Sequence, residues 1–171
     1  MQIIKYPILL LILFTSAFIG KLIAQKYSDR LEELEEIKNA FNILKSKIRF
    51  SYEPIPEIFQ EIEENTTPAI SSIFKKAKEK MKEQNESTGI AWEKAVEETK
   101  NNLNQEDKQA LKSLSKLLGV TDVEGQISQI EVTENFLEKQ IKEAEEEKQK
   151  NEKLYKRLGT TIGLAIVIIL I

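Results

Sequence analysis

The chain has 171 residues and contains neither cysteine nor histidine, which excludes disulfides, thiol chemistry, the usual zinc sites and the most common general base. All 28 acidic residues lie between Gln25 and Leu158 with 23 of the 25 basic ones, a net charge of −5 that argues against binding to nucleic acid. We therefore expect a domain of about 130 residues between two apolar ends, with no catalytic residue, metal ion or cofactor.

The first apolar segment runs for fifteen uncharged residues up to Gly20. Lys21 is followed by three further apolar residues. If its side chain snorkels to the surface, the segment reaches the lower limit of about 17 to 20 residues for crossing a bilayer. The alternative is a signal peptide, with Lys5 as its charged region and a cleavage site at Thr15-Ser16-Ala17. Apolar residues resume after that site, which favours a membrane segment, but whether the segment is cleaved stays open.

A long amphipathic helix follows from Ser28 to Phe50. Its apolar residues recur every three or four positions and predict one buried stripe: Leu31, Leu34, Ile37, Phe41, Leu44 and Ile48. Nothing between Ile23 and Leu31 would break a helix, so this helix is expected to continue the first membrane segment. Pro54 and Pro56 end it, because proline lacks a backbone donor and disfavours helix at the preceding residue.

Four shorter helices are expected between Pro54 and Gly119, each with its own apolar face. Trp92 falls on one of these faces, at helical spacing from Ala95 and Val96, and is interpreted as a core residue rather than an exposed anchor. Thr67-Pro68 and Asn104 are typical of helix starts. Gly119 is expected to close the fifth helix, which extends to Leu118, in a left-handed conformation.

The last helix is predicted from Asp122 to Ile171, about 75 Å at the usual rise per residue. A capping box of Thr121 and Glu124 begins it, and an acid at Asp122 suits a helix N-terminus. Its first two thirds are amphipathic, whereas its last fourteen residues carry no charge, which predicts passage from water into lipid. That stretch is short for a membrane span, so tilt, thinning or packing against the first segment must help.

These patterns predict an all-α fold: an antiparallel six-helix bundle with an N-terminal and a C-terminal transmembrane helix. The expected parts are a membrane segment over 1–24, a helical domain over 25–157 and a second membrane segment over 158–171. Nine lysines and arginines flank the inner ends of the two segments, against Lys5 on the outer side. The positive-inside rule therefore places the domain in the cytoplasm and both chain ends outward.

Small residues recur four apart in each membrane segment, at Ser16 and Gly20 and at Gly159 and Gly163, a spacing that lets two membrane helices approach closely. The same spacing is common by chance. The residues Lys21, Lys156 and Arg157 are expected to reach lipid headgroups as interface anchors. Clusters of glutamate at 32–36, 61–64 and 143–147 are interpreted as solvated faces, with a partner-docking or cation-binding role as the alternative.

Several short stretches, in this order and spacing, resemble the stage III sporulation protein AB family of endospore-forming bacteria over essentially the whole chain. They are a short N-terminal membrane segment, Tyr27, Arg30, Phe50, Glu53-Pro54-Ile55, Ala91-Trp92, Leu118-Gly119, Asp122, Gln126, Lys150-Asn151-Glu152-Lys153 and Leu158-Gly159. Arg30, Gly119, Asp122 and Gln126 match the family pattern without a known role, and nothing local explains Gln126.

The resemblance implies a non-enzymatic membrane component of the channel assembled between mother cell and forespore. The family's domain is similar to the cytoplasmic helical domain of type II secretion and type IV pilus platform proteins. Its implied partners are the lipid bilayer, a cytoplasmic secretion-type ATPase and the other membrane proteins of the complex, with an oligomer allowed. The alternative is a structural membrane-tethered coiled coil without ATPase contact. The helices between Pro54 and Leu118 favour the platform, because a simple tether would not need them.

Overall fold

The structure, a computed structural model, describes residues 2–51, 53–83 and 85–170. Six α-helices and one short 3-10 helix make up the regular structure of these residues, and no strand occurs among them. The prediction of an all-α fold is confirmed. In chain order the helices are α1 (Gln2–Phe50), α2 (Ile55–Glu64), α3 (Pro68–Glu83), α4 (Thr88–Glu98), α5 (Gln105–Lys112), the 3-10 helix (Ser113–Lys116) and α6 (Val123–Leu170).

The chain forms two compact units. One consists of Met1–Leu31 and Glu143–Ile171 and is called the helix pair here, because it joins the N-terminal part of α1 to the C-terminal part of α6. The other is Glu32–Lys142 and is called the helical domain. As expected, α1 runs without interruption from the first apolar segment into the amphipathic stretch.

The core of the helical domain is built on Trp92, which is fully buried. Its ring lies 5.2 Å from that of Phe74, 5.7 Å from that of Phe59 and 6.0 Å from that of Phe41, measured between centroids. The indole Nε1 donates a hydrogen bond of 2.8 Å to the carbonyl of Leu111, so its polar atom is satisfied inside the core. The interpretation of Trp92 as a core residue is confirmed.

The apolar stripe predicted along α1 and apolar residues on one face of α6 are buried in the core. In the helical domain the members that are fully or nearly fully buried are Leu34, Ile37, Phe41, Leu44 and Ile48 on α1, and Ile127, Ile130 and Leu137 on α6. Removing these side chains from water is the main favourable term in folding such a domain.

Two of the predicted helix ends are confirmed by their hydrogen bonds. Asn104 and Asp107 form a reciprocal capping box at the start of α5, each side chain accepting from the other's backbone N–H at 2.8 Å. Gly119 adopts a φ of 73°, the left-handed conformation expected of it. A Cβ atom at Gly119 would also lie 2.7 Å from the Thr88 hydroxyl, so both conformation and space favour glycine there.

Two other predictions about helix ends are wrong. The side chain that caps α6 is that of Asp122, whose Oδ1 accepts from the Gly125 N–H at 2.9 Å, rather than that of Thr121. The predicted fifth helix stops at Lys112 and continues only as a 3-10 helix. Its regular ladder ends because the Ser113 carbonyl accepts from Nε2 of Gln129 at 2.9 Å.

Candidate functional site

Two glycines bring the backbones of the helix pair into direct contact. A Cβ atom added to Gly20 would lie 2.8 Å from the Gly159 Cα and 2.6 Å from the Tyr155 carbonyl oxygen. A Cβ atom added to Gly159 would lie 2.9 Å from the Gly20 Cα. All three distances are shorter than real Cβ atoms show, and the obstacle is backbone in each case, so only glycine permits this approach.

The other two small residues of the predicted spacing lie beside this contact. The Ser16 hydroxyl donates a hydrogen bond of 2.6 Å to the Gly159 carbonyl. A Cβ atom at Gly163 would lie 3.0 Å from the Ser16 Cβ and 3.2 Å from the Leu13 Cδ1. The structure therefore brings Ser16, Gly20, Gly159 and Gly163 together at one crossing of α1 and α6.

The helix pair exposes many large apolar side chains around the crossing. Both helices contribute to this exposed apolar surface: Tyr6, Ile8, Leu10, Leu11, Phe14, Phe18, Ile19, Leu22 and Ile23 on α1, and Leu158, Ile162, Leu164, Ile166, Ile168, Ile169 and Leu170 on α6. Among the described residues one helix, Lys5–Phe50, is long and apolar enough to cross a membrane, and only 17% of its apolar window is buried. A core helix of that composition would be mostly buried.

Two apolar grooves run along the helix pair. The first has a volume of about 320 Å³ and is lined by both helices: Ser16, Ile19, Gly20 and Ile23 from α1, and Tyr155, Leu158, Gly159 and Ile162 from α6. The second, of about 610 Å³, is lined by α1 alone: Phe14, Thr15, Ala17, Phe18, Ile19 and Lys21. Ile19 belongs to both, and Lys21 supplies the charged end of the second.

Polar contacts join the same two helices next to the apolar stretch. The rings of Tyr27 and Tyr155 stack with centroids 5.8 Å apart and an interplanar angle of 14°. Arg30 donates from its guanidinium to the Glu147 carboxylate at 2.7 Å, and its side chain is only 7% exposed. Arg30 therefore links α1 to α6 within the helix pair, which gives this family-pattern residue a structural role.

The three predicted interface anchors are exposed: Lys21, Lys156 and Arg157. Lys156 pairs with Glu152 one turn earlier on α6. The hydrogen bond from Lys156, followed by its positive charge, lowers the pKa of the Glu152 carboxyl. Lys21 and Arg157 adjoin the grooves without an acidic residue beside them in the sequence.

The side chain of Gln126 forms two hydrogen bonds with the backbone of the helical domain, which gives this residue a structural role. Its Oε1 accepts from the Gly119 N–H at 3.0 Å, and its Nε2 donates to the Thr121 carbonyl at 3.0 Å. One amide thus holds both sides of the turn that leads into α6, while Asp122 caps the helix itself. Sequence reasoning missed this role, although a glutamine one turn after the capping Asp122 was the available signal.

The interpretation of the first acidic cluster as a solvated face is wrong for Glu33, which is buried. It is 6% exposed, and its two oxygens accept from the Asn102 N–H at 2.8 Å and from the Asn102 Nδ2 at 2.7 Å. The signal lay in its position four residues before Ile37, on the apolar face of α1. Glu33 therefore anchors the segment between α4 and α5 to α1.

The other acidic residues divide into paired and exposed ones. Glu61 and Glu63 form ion pairs with Lys47 and Lys78, at 2.5 and 2.6 Å. Glu145 and Glu146 are exposed on α6. Within the described part of the chain, no three His, Cys, Asp or Glu side chains are grouped so as to hold a metal ion.

Comparison with known proteins places these features in a family. The family model described as stage III sporulation protein AB matches residues 5–171. The stage III sporulation protein AB of Bacillus subtilis (strain 168) is 24% identical over 161 residues, covering 93% of this chain and 94% of that protein. A solved structure of stage III sporulation protein AB (SpoIIIAB) superimposes with a TM-score of 0.65 at 21% identity, over 70% of this chain and 96% of that one, and so shares the fold. The chain belongs to the stage III sporulation protein AB family.

Proposed function

We propose that this protein is a non-enzymatic membrane platform component of a sporulation complex between mother cell and forespore. Two paired membrane segments anchor it, and an antiparallel six-helix bundle, residues 25–157, docks a cytoplasmic secretion-type ATPase from the mother-cell side. The observation that carries the membrane part is the glycine crossing of two helices that expose many large apolar side chains around it. Family membership supports the role in sporulation.

The crossing supports a second, C-terminal membrane segment over 158–171. The thirteen described residues from Leu158 to Leu170 span about 20 Å as a helix, against a hydrocarbon core of about 30 Å. A short segment gains stability from close packing and from an interhelical hydrogen bond, which in membranes contributes about 0.6–1.7 kcal/mol. The hydrogen bond from Ser16 to Gly159 is of this kind. Packing against the first segment, residues 1–24, therefore compensates for the short length of the second.

The distribution of lysine and arginine supports a cytoplasmic domain. Seven of them lie within α6 and α1 close to the apolar stretches, at 21, 26, 148, 150, 153, 156 and 157. Only Lys5 lies on the other side of the first segment. Positive residues near membrane segments are retained in the cytoplasm.

Partner docking is expected on exposed rather than paired carboxylates. Glu61 and Glu63 already neutralise lysines of the helical domain, whereas Glu145 and Glu146 face solvent. An ATPase surface that recognises this protein through charge would be basic and would contact the exposed pair, since electrostatic complementarity selects partners and speeds their encounter.

The alternative, a membrane-tethered coiled coil, is favoured by a different observation. Lys38 and Lys45 of α1 form ion pairs with Glu138 and Glu134 of α6, at 2.8 and 2.5 Å, as the flanking charges of a coiled coil do. The aromatic core around Trp92 favours the platform instead, because a tether would not require four further helices with a core of their own.

Topology is tested by single cysteines, which a chain without native cysteine allows. Lys75→Cys, exposed on α3, should resist a membrane-impermeant maleimide added to intact cells and react after lysis. Labelling of this variant before lysis would refute the cytoplasmic domain.

Docking is tested by capture of the purified ATPase on the full-length protein in detergent. Reversing Glu145 and Glu146 to lysine should abolish capture, while reversing Glu83 and Glu106, exposed in the helical domain, should not. Failure of the wild-type protein to capture the ATPase would favour the tether.

A further inference from the structure

The grooves of the helix pair end next to a set of basic residues. Five lie within five residues of the groove-lining Ile23 or Leu158: Lys21 and Lys26 on α1, and Lys153, Lys156 and Arg157 on α6. We call these five the basic collar. At about 1.5 Å per residue they lie within about 8 Å of the groove along the helix axes, roughly one Debye length at physiological ionic strength.

Acidic residues of the helix pair lie farther along the same helices. Glu152 is the nearest on α6, and it is paired with Lys156, so one collar charge is partly neutralised. Glu147 is paired with the buried Arg30, and Glu145 and Glu146 are more than ten residues from Leu158. Asp29 on α1 and Glu152 on α6 each lie six residues, about 9 Å along the helix axis, from Ile23 or Leu158. The five cations of the collar outnumber these two acidic residues, so the net charge near the mouth of the groove is positive.

We propose that the helix pair binds an anionic phospholipid, with an acyl chain in the groove between α1 and α6 and the headgroup phosphate at the basic collar. This inference rests on the proposed membrane insertion of both helices. The groove lining is almost wholly apolar, with the Tyr155 ring and Ser16 as its polar members, which suits an acyl chain. The adjoining collar complements a negative headgroup, and clustered lysine and arginine beside a membrane helix attract anionic lipids.

The position of Lys21 relates the two grooves to one ligand. Lys21 lines the second groove, which shares Ile19 with the first. Lys26 lies three residues beyond Ile23, one helical turn along the same face of α1. Lys26 thus continues the face of α1 that lines the first groove, and Lys21 borders the second, so a cation lies beside each groove, as an amphiphile with a charged head requires.

The test compares lipids that differ only in headgroup charge. The full-length protein, depleted of lipid in a nonionic detergent, is titrated with phosphatidylglycerol or phosphatidylcholine of identical acyl chains, and bound lipid is measured by native mass spectrometry. The wild-type protein should bind phosphatidylglycerol more tightly. Lys26→Gln with Lys153→Gln and Arg157→Gln should weaken that binding on the order of 100-fold, about fivefold for each cation removed.

Two control variants test whether the effects are specific to the basic collar and to the groove. Lys75→Gln with Lys100→Gln and Lys116→Gln removes three exposed charges from the helical domain and should leave binding unchanged. Ile162→Trp fills the groove and should weaken binding of both lipids, whereas Leu164→Trp, exposed outside the groove on α6, should not. Circular dichroism checks that each variant retains the wild-type helix content.

The outcomes separate this inference from the proposed function. Equal affinity for the two lipids, or collar and control variants that behave alike, would overturn the lipid site while leaving membrane insertion intact. Release of the protein from membranes by alkaline carbonate would overturn membrane insertion, and the lipid site with it.

Discussion

The most specific stability prediction concerns Glu33, because both of its carboxylate oxygens act as hydrogen-bond acceptors. Each accepts a hydrogen bond from Asn102, one from the backbone N–H and one from Nδ2. In Glu33→Gln one oxygen becomes an NH₂ group, so a donor would face a donor whichever way the amide is turned. The substitution that is usually called conservative should therefore be damaging here.

The magnitude follows from the burial of the site. Hydrogen bonds to a charged group contribute about 1.5–3 kcal/mol, and a buried donor left without an acceptor costs about 1–3 kcal/mol. With Glu33 only 6% exposed, water cannot replace the lost acceptor. We expect Glu33→Gln to lower the free energy of unfolding by about 2–4 kcal/mol, a large part of the roughly 5–15 kcal/mol typical of a domain.

Trp92 provides the assay, because it is the chain's one tryptophan and lies in the core of the helical domain. Urea unfolding of the full-length protein in mild detergent, followed by Trp92 fluorescence, should show a midpoint lower by roughly 1–2 M for Glu33→Gln. Glu32→Gln, the exposed neighbour, should unfold like the wild-type protein. Coincident curves for the two variants would refute the assignment of Glu33 as a buried double acceptor.

Three further predictions use the same chain. Gln126→Ala should destabilise the helical domain by about 1–2 kcal/mol in the same urea assay, since it removes two hydrogen bonds between this side chain and the backbone at a half-buried site. Wild-type stability of this variant would show that the turn holds without them. Leu114→Asp should abolish the native Trp92 signal, because it places an unpaired charge at a fully buried position, and a native spectrum would show the core to be misassigned. Gly159→Leu should separate the helix pair, which is measured as loss of oxidative cross-linking between Leu13→Cys and Gly163→Cys. Thr161→Leu, a substitution at an exposed position of the same helix, should leave the cross-linking unchanged. Persistent cross-linking in Gly159→Leu would argue against a backbone contact at Gly159.

The spacing of apolar residues predicted the helices well where the residues at that spacing are also the buried ones. The apolar repeats of α1 and α6, the core position of Trp92, the helix start at Asn104 and the left-handed Gly119 are local patterns with local causes. A helix buries one face, and the residues on that face are spaced by its turn. Such features can be predicted from neighbours within about four residues.

Two of the wrong predictions have a common physical origin, which is a hydrogen bond from a residue far along the chain. The fifth helix ends early because Gln129, sixteen residues away, bonds to the Ser113 carbonyl. Glu33 is buried because Asn102, 69 residues away, supplies two donors. Neither partner can be recognised from local spacing, since many polar residues have the same local surroundings.

The amino-acid sequence by itself determined that this protein is helical, that its acidic residues all lie between the two apolar ends, and that small residues recur four apart in each end. Only the tertiary structure decided that Gly20 and Gly159 meet, that Arg30 pairs with Glu147 and that Gln126 holds the turn before α6. The physical reason is that helix formation depends on short-range bonds and burial patterns, whereas the choice of partner for a glycine face or a polar side chain is made by the packing of distant segments.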